Sequence, residues 1–324
     1  MRKRLLPLAG CFGALLLSGC ATPPSPRLAA MSVAQPQPHT IAAPFFSQVT
    51  DQCGPAALAS VLNFRGINIT PQQLRDRIYL PGRAGTLQLE LIAAARAEGL
   101  LAYPIAPTQE ALVQELNADN PILVLQNLGL DWLPRWHYAV LIGYDPHHDE
   151  MILHSGDRAA LRRPRSQFMR SWQSASGWGI VITAVNRPAA TATPAGLLQA
   201  SLELEQSGQR QSAGFLYQRL TQQHPHYHPA WAALANWQYR SGAFRAALAS
   251  YQQALHLNPT DPALWNNQAY ALAGLGCRTQ AISSLQCGLT RQPDHPELLD
   301  SLEQLAQQAS QPGDHCPSLS CRQR

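Results

Sequence analysis

The sequence predicts an α+β domain followed by an all-α array of helical repeats. Two patterns carry this prediction: helices precede strands between residues 41 and 186, and a 34-residue period runs through residues 194–310. A stretch rich in proline, alanine and threonine, residues 187–193, separates the two. Helices that come before a set of strands able to pair with their chain neighbours are typical of the α+β class, with a mostly antiparallel sheet.

The predicted helices of the first domain have recognisable start and stop signals. Cys53 to Phe64 is an apolar helix closed by Gly66, and a second helix begins at Thr70-Pro71, where threonine caps and proline takes the first helical position. Further helices are predicted for residues 86–98 and 108–117, and strands for residues 122–126, 137–144, 151–153 and 180–184.

Five columns of residues recur every 34 positions in the second domain. Among them are Gly208, Gly242 and Gly276, the alanines 213, 247 and 281, and the prolines 225, 259 and 293. The glycine allows a turn between paired helices, the alanine lets the helices approach closely, and the proline ends the second helix. This pattern resembles tetratricopeptide repeats.

The repeat resemblance implies about three stacked helix pairs with a concave face that binds a protein, either a substrate or a separate partner. The alternative is that the array only packs on the first domain. Residues 311–324 form a tail after the repeats.

Residues 1–19 have the features of a secretory signal peptide. Basic residues precede an apolar segment, Leu5 to Leu17, that is too short to span a bilayer. The segment ends Leu17-Ser18-Gly19-Cys20, which resembles the lipobox of bacterial lipoproteins. The resemblance implies that Cys20 receives lipid and that Ala21 directs the protein to the outer membrane, facing the periplasm. The alternative is an ordinary signal peptide. Residues 20–40 then form the lipid anchor and a proline-rich tether.

The composition excludes several kinds of chemistry. The net charge is +4, and three positive charges lie in the signal, so the remaining chain carries about +1 and has no electrostatic case for binding nucleic acid. Lys3 is the only lysine, which excludes a phosphate-loop lysine and a Schiff-base lysine from the rest of the chain. We therefore expect no cofactor.

Two groups of histidines are candidates for metal ligands. His224, His226 and His228 alternate at a repeat junction, and His147-His148 lies in a turn. No cysteine or carboxylate completes either group at metal-ligand spacing, so we predict no metal site.

The sequence contains seven cysteines, and their expected roles depend on where they lie in the chain. Cys277, Cys287, Cys316 and Cys321 are even in number and lie beyond a secretory signal, which predicts one or two disulfides with three possible pairings. Cys53 is the odd cysteine of the chain beyond the anchor, as a nucleophile should be.

Cys53 lies at the start of its predicted helix, in Gln52-Cys53-Gly54-Pro55-Ala56. The helix dipole and the N–H groups of a first turn favour a thiolate there. His137 begins the apolar run His137-Tyr138-Ala139-Val140-Leu141-Ile142-Gly143-Tyr144, which predicts a buried strand. A thiol at a helix N-terminus facing a histidine on a strand suits nucleophilic catalysis.

These segments, together with Pro44-Phe45-Phe46-Ser47-Gln48, resemble the bacteriocin-processing type of cysteine peptidase over residues 41–160. That family has a papain-like fold and cuts leader peptides after paired glycines. The resemblance implies that Cys53 is the nucleophile, that His137 moves its proton, and that Gln48 donates to the oxyanion together with the Cys53 backbone N–H. Gln52 competes with Gln48 for this role.

The third residue of the site departs from the family pattern. The family has an aspartate on the strand after the histidine strand, and the corresponding positions here are His154 and Ser155. Asp157 comes two or three residues later. A neutral residue such as Ser155 orients His137, or Asp157 reaches back, or the site is degenerate.

The sequence therefore predicts a lipid-anchored periplasmic cysteine peptidase that cuts a protein or peptide substrate recruited by its repeats. Two alternatives stay open. One is a cell-wall peptide amidase on the same fold, and the other is a scaffold lipoprotein with a weak or inactive catalytic domain.

Overall fold

The computed structural model describes residues 38–47, 52–80, 85–307, 316–319 and 321. They belong to one compact unit, Gln37–Arg324. The predictions made for Cys20 and Gln48 lie outside the described residues.

The first domain alternates helices and strands. Its helices are α1 Cys53–Phe64, α2 Pro71–Ile78, α3 Gln88–Ala97, α4 Gln109–Asn117 and α5 Arg165–Gln173. Its strands are β1 His39–Thr40, β2 Leu101–Pro104, β3 Ile122–Asn127, β4 Trp136–Asp145, β5 Glu150–Ser155, β6 Arg158–Pro164 and β7 Gly179–Thr183.

The strands form one sheet in the order β2-β7-β3-β4-β5-β6, with β1 paired to β4. Every pair is antiparallel, so the predicted α+β class is confirmed. The prediction missed β1, which lies at the end of the predicted tether, and also β2, β6 and α5. β6 is an exposed edge strand with three arginines and no apolar alternation, and β2 has only four residues and ends in proline.

Helix α1 is the central helix of this domain. Its residues from Gly54 to Leu62 are all buried, because the helix packs against β4 on one side and against α2 and α3 on others. A helix that is apolar all round needs such surroundings. Its N-terminus, with Cys53, is thereby placed beside the sheet.

The second domain is a stack of antiparallel helices, and the predicted all-α repeat array is confirmed. The helices are α6 Pro194–Gln206, α7 Arg210–Gln223, α8 His228–Arg240, α9 Phe244–Leu257, α10 Pro262–Gly274, α11 Arg278–Leu289 and α12 Pro296–Gln307. Gly208, Gly242 and Gly276 have φ of +90°, +74° and +78°, so each turn between paired helices uses the left-handed conformation that favours glycine.

The 34-residue period also repeats individual hydrogen bonds. The indole N–H of Trp231 donates to the Pro225 carbonyl at 2.8 Å, and that of Trp265 donates to the Pro259 carbonyl at the same distance. The recurring tryptophan therefore ties the start of one helix pair to the end of the preceding pair.

The repeats pack directly on the edge of the sheet. Helix α6 covers the edge strand β2, and the Thr193 N–H donates to the Tyr103 hydroxyl at 3.2 Å. A Cβ at Gly196 would lie 2.3 Å from that hydroxyl, so only glycine fits the contact. Arg96 of α3 forms an ion pair with Glu203 of α6. One apolar core runs from the sheet into the first repeats.

Two disulfides attach the tail to helix α11. Cys277 is bonded to Cys316, and Cys287 to Cys321, which selects one of the three pairings that the sequence left open. Within the described part of the chain, no helix is long and apolar enough to cross a membrane.

Candidate active site

Cys53 is the first residue of α1 and is half-buried. It takes part in neither disulfide. No acidic residue lies in the first turn of this helix, so nothing there offsets the positive end of the helix dipole. The position suits an anionic sulfur.

The side chains of Thr86 and Tyr138 pack against the start of α1. A Cβ on Gly54 would lie 3.0 Å from the Thr86 Cβ and 3.4 Å from a ring carbon of Tyr138, so the glycine allows a close approach. The Tyr138 hydroxyl donates to the Thr86 carbonyl at 3.2 Å. Burial, then the nearby Cys53 thiolate, then Glu90 raise the pKa of Tyr138 well above its usual range. Tyr138, the residue next to His137, therefore lies close enough to Cys53 for their charges to interact.

His137 is the second residue of β4, opposite Gln126 of β3. Its Nε2 lies 2.9 Å from the Ser155 hydroxyl oxygen. Burial, followed by the positive charge of Arg135, lowers the pKa of His137 below its ordinary value. A neutral imidazole at neutral pH is the form that accepts a proton. When Nε2–H donates to Ser155, the lone pair lies on Nδ1.

The antiparallel register explains the contact with Ser155. Val140 pairs with His154, so continuing the same register puts Ser155 opposite Ala139. Side chains alternate between faces along a strand, which puts His137, Ala139 and Ser155 on one face and His154 on the other. His154 is buried there and its Nε2–H donates to the Ala43 carbonyl at 2.9 Å.

Asp157 follows β5 in a turn. Its side chain is 85% exposed, and the carboxylate lies 3.9 Å from the Arg158 guanidinium. Among the described residues, Arg158 is the only ion-pair partner of Asp157. Of the three candidates for the third site residue, His154, Ser155 and Asp157, Ser155 is thus the one at hydrogen-bond distance from His137.

An apolar cavity of about 510 Å³ opens beside these residues. Thr86 and Tyr138 line the side nearest α1, and Trp136, Ile105 and Trp178 line the rest. Trp178 packs edge-on against Tyr138 with ring centroids 5.8 Å apart. The sequence alone indicates no role in the site for Tyr138, Thr86 or Trp178. Tyr138 directly follows His137, but no spacing pattern links it to Thr86 or Trp178.

Within the described part of the chain, no three His, Cys, Asp or Glu side chains lie together as metal ligands. His148 instead uses Nδ1 to contact the Asp145 carboxylate at 2.9 Å.

Comparisons with known proteins recognise both domains. Residues 40–180 match the model of the Peptidase C39-like family, and residues 204–269 match that of the tetratricopeptide repeat. No curated protein is similar enough to the chain to count as a match.

Several solved structures are similar to one domain or the other. A putative C39-like peptidase from Bacillus anthracis is 18% identical, with a TM-score of 0.40, over 46% of this chain and 98% of its own. A double glycine motif protease from an AMS/PCAT transporter, in complex with the leader peptide, is 22% identical, with a TM-score of 0.35, over 46% and 99%. The Yersinia enterocolitica type III secretion chaperone SycD, in complex with a peptide of the translocator YopD, is 20% identical, with a TM-score of 0.32, over 34% and 89%.

Proposed function

Because the chain combines a peptidase C39-like domain with tetratricopeptide repeats, we propose that it is a cysteine peptidase that acts through Cys53 and His137. The repeats bind the protein substrate or a partner. A lipid on Cys20 attaches the protein to the outer membrane, and its domains face the periplasm.

The contact between His137 and Ser155 is the observation that carries the catalytic proposal. At 2.9 Å it holds the imidazole by Nε2, which leaves Nδ1 as the base. His137 lies next to Tyr138, which packs against the residue that follows Cys53. A base held by a hydrogen bond near a thiol at a helix start is the arrangement that nucleophilic catalysis needs.

The reaction proceeds in two halves. The Cys53 thiol gives its proton to His137 Nδ1, and the sulfur attacks the carbonyl carbon of the peptide bond. The negative charge on the carbonyl oxygen is stabilised by the Cys53 backbone N–H and by the Gln48 amide. The C–N bond then breaks, and His137 protonates the leaving amine. Water, deprotonated by His137, finally attacks the thioester and releases the acid and the thiol.

The apolar cavity supports a peptide substrate, because its lining includes Trp136 and Tyr138, the two residues that flank His137 in the chain. The contact between α6 and β2 supports a recruiting role for the repeats. A protein bound to an array that shares a core with the catalytic domain is held at a constant distance from Cys53, which raises its effective concentration there.

The two disulfides support the periplasmic location. Disulfides persist in oxidising compartments, and the bacterial periplasm is one.

A second candidate function is a scaffold that acts through its repeats. The observation in its favour is that Ser155, and not a carboxylate, contacts His137. A serine hydroxyl stabilises the imidazolium less than a carboxylate does, because it carries no charge.

Thiol reactivity separates the two candidates. The protein from residue 21 onward is treated with a mild alkylating probe between pH 5 and 9, and adducts are mapped by mass spectrometry. A peptidase gives labelling of Cys53 well below pH 8 that is slower in His137→Ala, with Cys53→Ser as the blank. A scaffold gives labelling that rises only near pH 8.5, as for an ordinary thiol.

Lipid attachment is tested separately in bacterial cells. A radiolabelled fatty acid is incorporated into the wild-type chain but not into Cys20→Ala, and the label follows the outer membrane on fractionation. Equal labelling of both chains contradicts the anchor.

A further inference from the structure

The hairpin between β3 and β4 exposes large apolar side chains at its end. We call residues 128–136 the hairpin tip. Its large apolar residues are exposed by 42% to 79%: Leu128, Leu130, Trp132, Leu133 and Trp136. Trp132, at 79%, is the most exposed large apolar residue in the described part of the chain. Contiguous exposed apolar surface marks a site of interaction.

Specific contacts hold the base of the hairpin tip. Asn127 is buried, and its side-chain oxygen accepts from the N–H groups of Gly129 and Arg135, both at 2.9 Å. A Cβ at Gly129 would lie 2.4 Å from the Leu133 carbonyl oxygen, so the backbone passes where only glycine fits. These contacts therefore fix the backbone at the foot of the hairpin tip.

The end of the hairpin tip is equally ordered. Leu130 and Leu133 exchange two backbone hydrogen bonds, at 3.1 and 3.0 Å. The Asp131 carboxylate accepts from the Ser174 hydroxyl at 2.7 Å, which ties the turn to the end of α5. These bonds hold the backbone of the turn so that the apolar side chains point away from the core.

Two arginines lie at the base of the hairpin tip. Arg135 and Arg163 line a cavity of about 310 Å³ together with Leu128. Within the described ranges, neither arginine has a carboxylate at ion-pair distance, whereas Arg162 pairs with Asp145 and Glu150. The cavity thus presents two positive charges that the protein does not neutralise there.

This combination fits an anionic bilayer surface. Tryptophan and leucine favour the boundary between headgroups and acyl chains, and nearby arginines attract anionic headgroups. A peptide ligand calls for a groove, but Leu130, Trp132 and Leu133 lie on the protruding turn and line neither of the two cavities. A second copy would bring a second arginine pair against the first, which is repulsive. We propose that the hairpin tip inserts into the interface of an anionic phospholipid bilayer, with Arg135 and Arg163 contacting headgroup phosphates.

This membrane contact does not require the lipid on Cys20. Trp136 belongs both to the hairpin tip and to the lining of the apolar cavity, so the membrane contact would lie beside the proposed substrate cavity.

The test uses the compact unit, residues 37–324 with both disulfides formed, so that no lipid anchor contributes. Binding is measured by co-sedimentation with vesicles of phosphatidylcholine alone or mixed with phosphatidylglycerol. The variants are W132S/L133S, W132F, R135Q/R163Q and the control F215S, which changes an apolar residue of α7 that is 45% exposed. Because the altered side chains are exposed, unfolding temperatures are expected to match that of the wild type.

The proposal expects wild type, W132F and F215S to bind phosphatidylglycerol vesicles alike. W132S/L133S should bind at least about tenfold more weakly, since each change removes a large apolar side chain from the interface. R135Q/R163Q should lose about tenfold or more on phosphatidylglycerol and little on phosphatidylcholine. Absence of wild-type binding, or equal binding by W132S/L133S, overturns the proposal. So does sedimentation of the wild type as a dimer that W132S/L133S converts to a monomer.

Discussion

Replacing Ser155 by aspartate tests directly whether this position orients His137. The serine hydroxyl lies 2.9 Å from His137 Nε2, so an aspartate there brings a carboxylate to the same nitrogen. Ser155 also lines the cavity of about 310 Å³, which leaves room for the added atoms. The change therefore adds charge at the imidazole without overpacking the core.

The size of the effect follows from electrostatics. Two opposite charges about 4 Å apart interact by about 4 kcal/mol at an effective dielectric constant of about 20, and desolvation of the carboxylate cancels part of this. Carboxylates at this range move the pKa of a neighbouring group by about 1–3 pH units. Burial and Arg135 now lower the pKa of His137, so Ser155→Asp should raise it by at least about one pH unit.

The assay is an NMR titration of the His137 ring in a Cys53→Ala background, which removes the thiolate from the measurement. Ser155→Ala should lower the pKa or leave it unchanged, because it only removes a neutral partner. Asp157→Asn is the matched control and should have no effect, since that carboxylate is exposed. With Cys53 restored, Ser155→Asp should also speed alkylation near pH 6, because imidazolium favours thiolate.

Two results would refute the reasoning. One is a His137 pKa that does not move in Ser155→Asp. The other is a pKa that falls in Asp157→Asn, which would make Asp157 the orienting residue in solution.

Two further predictions concern charge and stability. Arg135→Gln removes one of the two causes that lower the pKa of His137, so the same titration should give a higher His137 pKa. Arg163→Gln is the control and should leave the His137 pKa unchanged. An unchanged pKa in Arg135→Gln would contradict the assigned cause. Removing the Cys277–Cys316 bond, whose cysteines are 39 residues apart, by changing both to alanine should lower the free energy of unfolding by up to about 4 kcal/mol in urea denaturation. Unchanged stability would mean that the tail adds nothing to the repeat array.

Patterns within single elements were predictable from the sequence. The first helix, Cys53–Phe64, has the predicted bounds, because it is apolar throughout and ends at Arg65-Gly66. The third helix is two residues later at its start and one earlier at its end than predicted, since nothing at Thr86 caps it. The edge strand Arg158–Pro164 was missed, because only its pairing with Glu150–Ser155 makes it a strand.

The candidate site also combines residues that the sequence predicts with contacts that only the fold reveals. Cys53 and His137 are recognisable because each lies in a local pattern, a helix start and a strand start. Whether Ser155, His154 or Asp157 faces His137 depends on the register of two strands and on which face each side chain takes. A shift of one residue would have exchanged His154 for Ser155.

The sequence by itself determined the α+β domain and the 34-residue repeats, since periodicity and capping act over a few neighbouring residues, and it predicted Cys53 and His137 as the two residues of the proposed reaction. Only the tertiary structure decided the contact of His137 with Ser155, the cysteine pairing and the packing of the repeats on strand β2. These depend on residues far apart in the chain, which meet only when the whole core has formed.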